Sequence, residues 1–355
     1  MSPSDLATRP TVDFGGFAGL SHDPDRRPRV LVTGAGGPAA IGFLRLASRP
    51  DVEMYAADID PVASGLYLVP SERRILVPRG DDPEFAERMR EICRRLEITV
   101  LVPTVDSELL PLAGVRHLLA AGGTTLLAAP SSTLAVCLDK AELARVCADS
   151  CDVPGTGVLH AETPVSYPSI VKPRTGSGSR GIRLVEGPGD LVGLPRDGSQ
   201  LAQEYLPGEE LSVDVFVRAD GTVVAAVPRL RDRVDSGVAV AGRTIHDQPC
   251  IEQAVAVCRA IGLRGVANVQ LRRRADGSPA LLEVNPRLPG SLVLSAAAGA
   301  NLAALALAEA LGESVPAFIP FREVAMVRYL ADVVVEVEEY ARAGLTEVLM
   351  TAAPR

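Results

Sequence analysis

The stretches Val266–Leu271 and Leu281–Arg287 constrain the fold of this chain most, because Ala275-Asp276-Gly277-Ser278 lies between them. An Asp-Gly pair flanked by strand-like runs is a strong hairpin signal, since both residues tolerate the positive φ of a tight turn. Taken as a two-residue loop, Asp276-Gly277 sets Gln270 opposite Glu283 and Asn268 opposite Asn285. The two-residue period of a strand puts these four polar side chains on one face. It sends Ala267, Val269, Leu271, Leu282 and Val284 to the core. Carboxylate and amide oxygens at this spacing suit a hard cation such as Mg2+, which keeps waters and completes its shell from substrate phosphates. Arg287, just past the strand, can reach the same phosphates. The plain alternative is a solvated hairpin face, but such faces favour Lys, Glu and Thr over Asn-x-Gln facing Glu-x-Asn.

The 355 residues suffice for two or three packed units. Apolar residues make up 47% and aromatics 4%, so Ala, Val and Leu must build the cores. The chain lacks an apolar run of about 18 residues and a basic-then-apolar leader, which speaks against membrane insertion and export. A net charge of −8 speaks against a nucleic-acid surface. The six cysteines form no C-x-x-C pair and histidines number four, so no zinc centre is expected. The setting expected is reducing and cytoplasmic.

Of the 36 basic residues only Lys140 and Lys172 are lysines. Where any positive charge serves, the chain carries arginine. A retained lysine therefore marks a place wanting a compact point charge on a flexible stem, as phosphate binding does.

Residues 1–27, rich in Ser, Pro, Asp and Gly without periodicity, are expected to be a disordered tail. Strands at 29–33, 52–57, 98–102 and 124–128 then alternate with helices over 39–48 and 83–96, with another opening at Asp106. This is the pattern of a small doubly wound parallel sheet. Gly34-Ala35-Gly36-Gly37 with Gly42 departs from the dinucleotide-binding spacing, and nicotinamide binding there is the weaker alternative. The favoured use is a cleft at the carboxyl ends of the strands, where Asp58, Asp106 and Glu108 either meet an amine-bearing substrate or cap helices.

Helical sequence covers 131–150. Strand 167–172 ends at Lys172, and a Gly/Ser loop with Ser177, Gly178, Ser179 and Gly181 leads to strand 182–185. Such a loop can lay amides and hydroxyls over a triphosphate as a mobile flap, although Gly-Lys-Ser/Thr is absent and no helix follows. Glu204-Tyr205-Leu206 precedes strand 211–217, a suitable link for a base edge and ribose. A second Ala-Asp-Gly turn, 219–221, sets Glu210 near Arg231 and Ser212 opposite Arg229. The polar stretch 229–243 can cover phosphates. Helix 251–261 leads into the first hairpin, and 297–311 reads as an Ala/Leu core helix.

Asp-Lys140, Val-Lys172-Pro with its glycine loop, Glu204-Tyr-Leu-Pro-Gly-x-Glu210-Leu-Ser-Val-Asp, Asn268-Val-Gln270 and Leu-Glu283-Val-Asn285-Pro-Arg287 together resemble the ATP-grasp superfamily. The resemblance covers roughly 29–315 and is closest to the branch of the carbamoyl-phosphate synthase large chain and stand-alone amide ligases. It implies an α/β (α+β) fold: a doubly wound pre-ATP-grasp domain over 28–130, a small lobe with a mobile lid over 131–205, and an antiparallel large lobe over 206–320. Residues 321–355 carry no signature. It further implies that Lys140 and Lys172 hold ATP phosphates. Glu204, Tyr205 and Leu206 would lie at the adenine and Glu210 at the ribose. Gln270, Glu283 and Asn285 would bind two Mg2+, with Mn2+ as a substitute, and Arg287 with Lys172 and Arg231 would steady the transferring phosphoryl group. The activity implied is ATP-dependent joining of a small carboxylate to an amine through an acyl phosphate. A nicotinamide oxidoreductase or a non-catalytic nucleotide sensor are the alternatives. One grasp unit without a second repeat, glutaminase or biotin carrier leaves carbamoyl phosphate synthesis and biotin carboxylation unsupported. The oligomeric state is open, with a homodimer among the options.

Overall fold

The computed structural model describes residues 27–176, 181–235 and 237–343. The tail expected over 1–27 lies outside these residues apart from Arg27, as do Ser177, Gly178 and Ser179 of the glycine loop.

Five parallel strands come first: β1 (Arg29–Val32), β2 (Glu53–Asp58), β3 (Arg74–Leu76), β4 (Val100–Val102) and β5 (Thr125–Leu126), ordered β3-β2-β1-β4-β5. Val30, Leu31 and Val32 are all fully buried, as befits a parallel strand covered on both faces. Helices α2 (Phe85–Leu96) and α3 (Asp106–Gly114) cover one face through Phe85, Met89, Ile92 and Leu112. Helix α1 (Pro38–Leu46) covers the other through Ala39, Ala40 and Phe43. That second core runs on into Phe216, Val224, Leu292 and Leu302 of the C-terminal half. The two halves thus share apolar packing, and the crevice between them is built on one body. Strand order reverses between β1 and β4, the place where doubly wound sheets open a ligand crevice.

A four-stranded antiparallel sheet follows, of β6 (Thr156–His160), β7 (Ser169–Pro173), β8 (Arg183–Val185) and β9 (Asp197–Glu204), ordered β6-β9-β7-β8. The largest sheet contains β10 (Glu210–Val217), β11 (Val223–Asp235), β12 (Val238–Thr244), β13 (Gly265–Arg273), β14 (Pro279–Asn285) and β15 (Ala325–Val327). Its order is β14-β13-β10-β11-β12-β15, antiparallel throughout. The helices Ser131–Leu138, Lys140–Cys147 and Gln248–Ala260 bury one face, packing Leu134, Leu143 and Val257 against Val213, Val215, Leu271 and Val284. The polar stretch expected over 229–243 is largely the paired strands β11 and β12.

Both Ala-Asp-Gly turns are three-residue loops rather than the two-residue loop expected. Arg274 N donates to Ser278 O at 2.8 Å, and Arg218 N to Thr222 O at 2.9 Å. Only the glycines take positive φ, +88° at Gly277 and +90° at Gly221. Each aspartate instead folds its carboxylate over the turn, accepting from Ser278 N at 2.9 Å and Thr222 N at 2.8 Å. An odd loop slips the register by one residue. A bulge beside Gln270 in one hairpin and beside Val217 in the other restores it. Gln270 therefore does face Glu283, Asn268 faces Asn285 and Ser212 faces Arg229. The bulge shows in the core, where Leu281, at 2% exposure, takes the place expected for Leu282, which is half-buried. The helix expected over 297–311 is two helices, Leu292–Ala297 and Leu302–Ala310. Gly299 (φ +115°) breaks them, and Asn301 caps the second by accepting from Ala304 N at 3.1 Å.

Candidate active site

A cleft of about 640 Å3 lies between the carboxyl ends of the parallel strands and the polar face of the largest sheet. One wall is the glycine turn Gly34–Gly37 with Asp58, Thr104 and Glu108, and the floor carries Ser212, Arg229, Arg231, Asn268 and Gln270. Glu283, Asn285 and Arg287 close the far side.

The polar face forms because β10, β13 and β14 alternate, sending every second residue to the cleft. Asn285 Nδ2 lies 3.4 Å from Glu283 Oε1, and Gln270 Nε2 lies 3.4 Å from Asn268 Oδ1, so the amides brace the carboxylate and one another. Asn268 is a buried support: its Nδ2 donates to Asp214 Oδ1 at 2.7 Å. Asp214, itself fully buried, also accepts from Arg229 Nε at 3.0 Å and Ser295 Oγ at 2.7 Å. Arg231 Nη1 donates to Glu210 Oε1 at 3.0 Å, as the second hairpin's register required. Arg287 makes a two-pronged bond to Asp106 at the start of α3, at 2.6 and 3.1 Å. Asp106, an acid in the first turn of α3 as one of the two readings had it, is thus held by an arginine across the domain boundary. Asp58 is likewise engaged, accepting from Gly36 N at 2.7 Å and Asp60 N at 3.0 Å. Glu108 is buried against Thr33, whose Oγ1 lies 2.5 Å from its Oε2, and burial pushes its pKa up to about 7.

The two lysines converge on Glu283 from the small sheet's side. Lys172, near the end of β7, is 6% exposed and donates to Gln203 Oε1 at 2.8 Å. Burial lowers its pKa to about 8; Glu283 and Glu210 oppose the fall and Lys140 adds to it. Lys140 Nζ donates to Gly176 O at 2.6 Å and lies 3.9 Å from Glu283 Oε2. The base of the glycine loop is tied to the same helix, because Asp139 both caps it and binds Arg174 with both oxygens. Gly181, just before β8, has φ +73°.

The structure thus brings Lys140, Lys172, Glu210, Arg231, Gln270, Glu283, Asn285 and Arg287 around one region. It does not bring the Glu204 carboxylate there: that group is bonded to Arg274 and accepts from Gly155 N at 3.0 Å. Tyr205 and buried Leu206 follow in the link to β10. Sequence reasoning missed Gln203, Thr33 and the Asp214–Ser295 support. Only Asp214 had a signal, its place two residues beyond Ser212 on the polar face.

The donor set fits a hard divalent cation. Glu283 offers a carboxylate and Gln270 and Asn285 offer amide oxygens, whereas no group of three or more His, Cys, Asp or Glu able to hold a metal occurs among the described residues. Such a sparse oxygen set leaves positions for waters and phosphate oxygens, as Mg2+ requires.

A parallel-sheet domain, a small antiparallel sheet with a lysine at its loop, and a large antiparallel sheet with Glu-x-Asn facing Gln define the ATP-grasp fold. Residues 197–333 match the family described as ATP-grasp in the biosynthetic pathway with Ter operon, and residues 30–127 the PylC-like N-terminal domain. The chain carries an ATP-grasp domain behind a PylC-like N-terminal domain. It is 33% identical to carnosine synthase 1 of Gallus gallus over 50% of this chain and 22% of that protein. It is 31% identical to D-alanine–D-alanine ligase of Gloeobacter violaceus over 39% of this chain and 50% of that one. The chain thus spans half or less of these curated relatives. The fold is similar to N5-carboxyaminoimidazole synthetase from Staphylococcus aureus complexed with ADP (TM-score 0.71, 15% identity, 86% of this chain and 83% of that one). It is also similar to L-amino acid ligase from Bacillus licheniformis (TM-score 0.63, 17% identity, 81% and 74%). No described helix is long and apolar enough to cross a membrane.

Proposed function

We propose that this chain is an ATP-dependent carboxylate–amine ligase that forms an acyl phosphate and releases ADP and phosphate. The observation that carries the reading is the convergence on Glu283 of both lysines in the chain, Lys140 at 3.9 Å and Lys172 by its charge, with Arg287 beside Asn285. Lys140 and Lys172 hold the ATP phosphates. Glu210 takes the ribose, and the link at Glu204, Tyr205 and Leu206 takes the adenine edge. Gln270, Glu283 and Asn285 would hold two Mg2+ ions, with Mn2+ as a substitute. Bound there, the metal would neutralise phosphate charge. Arg287 and Arg231 steady the phosphoryl group as charge shifts in transfer. The loop through Gly181 excludes water from the acyl phosphate until an amine displaces the phosphate. Little proton transfer is asked of the protein, so positioning carries the rate.

The nicotinamide reading is not favoured. Asp58, where a dinucleotide enzyme binds ribose, is bonded to the glycine turn through Gly36 N. The turn's first glycine is also demanded by packing: a Cβ on Gly34 would lie 2.6 Å from Val105 Cγ2 and 2.7 Å from Thr104 Oγ1. ADP release across a panel of carboxylates and amines, with condensed product read by mass, tests the ligase. A nucleotide sensor releases none. Carboxylate labelled with 18O must deliver label to inorganic phosphate; AMP as the product would overturn the mechanism.

A further inference from the structure

Ser212 stands mid-sheet on β10, opposite Arg229 of β11 and Gln270 of β13. It belongs to the row Glu210, Ser212, Asp214 on the cleft side of the strand, and it lines the cleft. Its two row neighbours are engaged, Glu210 by Arg231 and Asp214 by Arg229, Asn268 and Ser295. Ser212 is 1% exposed, and its Oγ has no hydrogen-bond partner among the described residues. A buried hydroxyl left unsatisfied is costly, and native folds retain one chiefly where something other than the protein completes it. What completes it is set by the flanks. Arg229, whose Nε is bonded to Asp214, stands on one side and Gln270 of the polar hairpin face on the other, and N–H groups on both flanks favour an anion, to which the hydroxyl donates.

We propose that Ser212 is an oxyanion-binding residue of the reaction centre, donating Oγ–H to an oxygen of the carboxylate substrate or of the phosphoryl group it receives. The inference rests on the ligase reading and adds a specific contact to it. A hydroxyl that bonds only to ligand contributes nothing to the free protein's fold, so its removal separates binding from stability.

Ser212→Ala and Ser212→Cys are compared with wild type by thermal melting, by MgADP binding, and by titration of inorganic phosphate and of acetate, each with and without MgADP. Ser212→Ala is expected to melt at the wild-type temperature or above and to bind MgADP normally. Its dissociation constant for at least one anion should rise about tenfold or more, the worth of a hydrogen bond to a charged group. Ser212→Cys, a weaker donor of similar size, should fall between. A rise for phosphate alone assigns the hydroxyl to the phosphoryl group, and a rise for acetate alone assigns it to the carboxylate. Unchanged affinity for both anions overturns the inference, as does wild-type protein that binds neither. A melting temperature lowered by several degrees overturns it too, by showing that the hydroxyl is bonded within the fold. Failure of wild type to bind MgADP would sink the ligase reading instead, and the titrations without nucleotide would still decide whether Ser212 holds an anion.

Discussion

Replacing Glu108 by glutamine should remove a loss of stability that the protein suffers as pH rises. The carboxyl is 4% exposed, and burial raises its pKa from 4.5 to about 7; the Thr33 bond opposes the rise and Asp58 adds to it. Between these two values the unfolded chain has released a proton that the folded chain still holds. Raising the pH therefore draws the equilibrium toward the unfolded state. Stability contributed by the protonated group is fully present below about pH 4.5 and is lost by about pH 7. At 1.36 kcal/mol per pH unit the loss is about 3 kcal/mol, a large share of a domain's stability. The glutamine side chain cannot ionise, keeps the shape and still offers an oxygen to Thr33. Urea unfolding of both proteins at about pH 4.5, 6 and 7.5 reads the difference directly. The variant should gain on wild type by about 3 kcal/mol across that range. Parallel pH profiles would refute the argument. A constant deficit in the variant at every pH would mean that the Thr33 bond, not the ionisation, is what the site depends on.

Glu283→Gln should abolish turnover while the melting temperature holds, since it removes a charge from a half-buried ligand face; a collapse by tens of degrees would make Glu283 structural. Lys172→Arg keeps the charge but puts a planar fork where a 6% exposed ammonium meets Gln203. MgADP affinity, followed by titration, should fall at least about tenfold, and near-normal affinity would show that the lysine's geometry is immaterial. Gly277→Ala, at φ +88°, should cost about 1 kcal/mol in urea unfolding without moving the Gln270–Glu283 pairing. A loss of turnover with it would mean that the three-residue loop sets the site's register.

The polar face of the hairpin was legible because it depends on strand alternation and on one turn. The length of that turn was not. Asp-Gly suits both a two- and a three-residue loop, and the choice depends on whether a bulge farther along can absorb the odd residue. Here it can, twice, so the site pairings survive while Leu281 and Leu282 exchange roles. Gly299 could be read only with the fold in hand, because a glycine in an Ala/Leu run breaks a helix when packing sets its φ at +115°. The pairing of Arg287 with Asp106 joins residues 181 positions apart, across two domains, and no local pattern encodes such a contact.

That pairing points to a property of the whole cleft. Arg229, Arg231 and Arg287 each meet a carboxylate, from Asp214, Glu210 and Asp106 respectively. The Arg229–Asp214 pair is almost wholly shielded, with side chains 6% and 0% exposed, so its charges largely cancel and removing either partner would strand the other. The arginines therefore shape the walls more than they charge them. The two lysines are held less tightly: Lys172 is hydrogen-bonded to the neutral amide of Gln203, and Lys140 donates to the Gly176 carbonyl with Glu283 Oε2 at 3.9 Å. Burying an ammonium is costly, and the depressed pKa of Lys172 records that cost even though Glu283 and Glu210 offset part of it. A chain that uses arginine for its other 34 basic positions keeps lysine at two, and on the ligase reading proposed above both would meet an incoming polyanion. Arginines bonded closely to carboxylates, with lysines held by longer and weaker contacts, are what such a cleft needs if it is to stay folded when empty and still draw in a triphosphate.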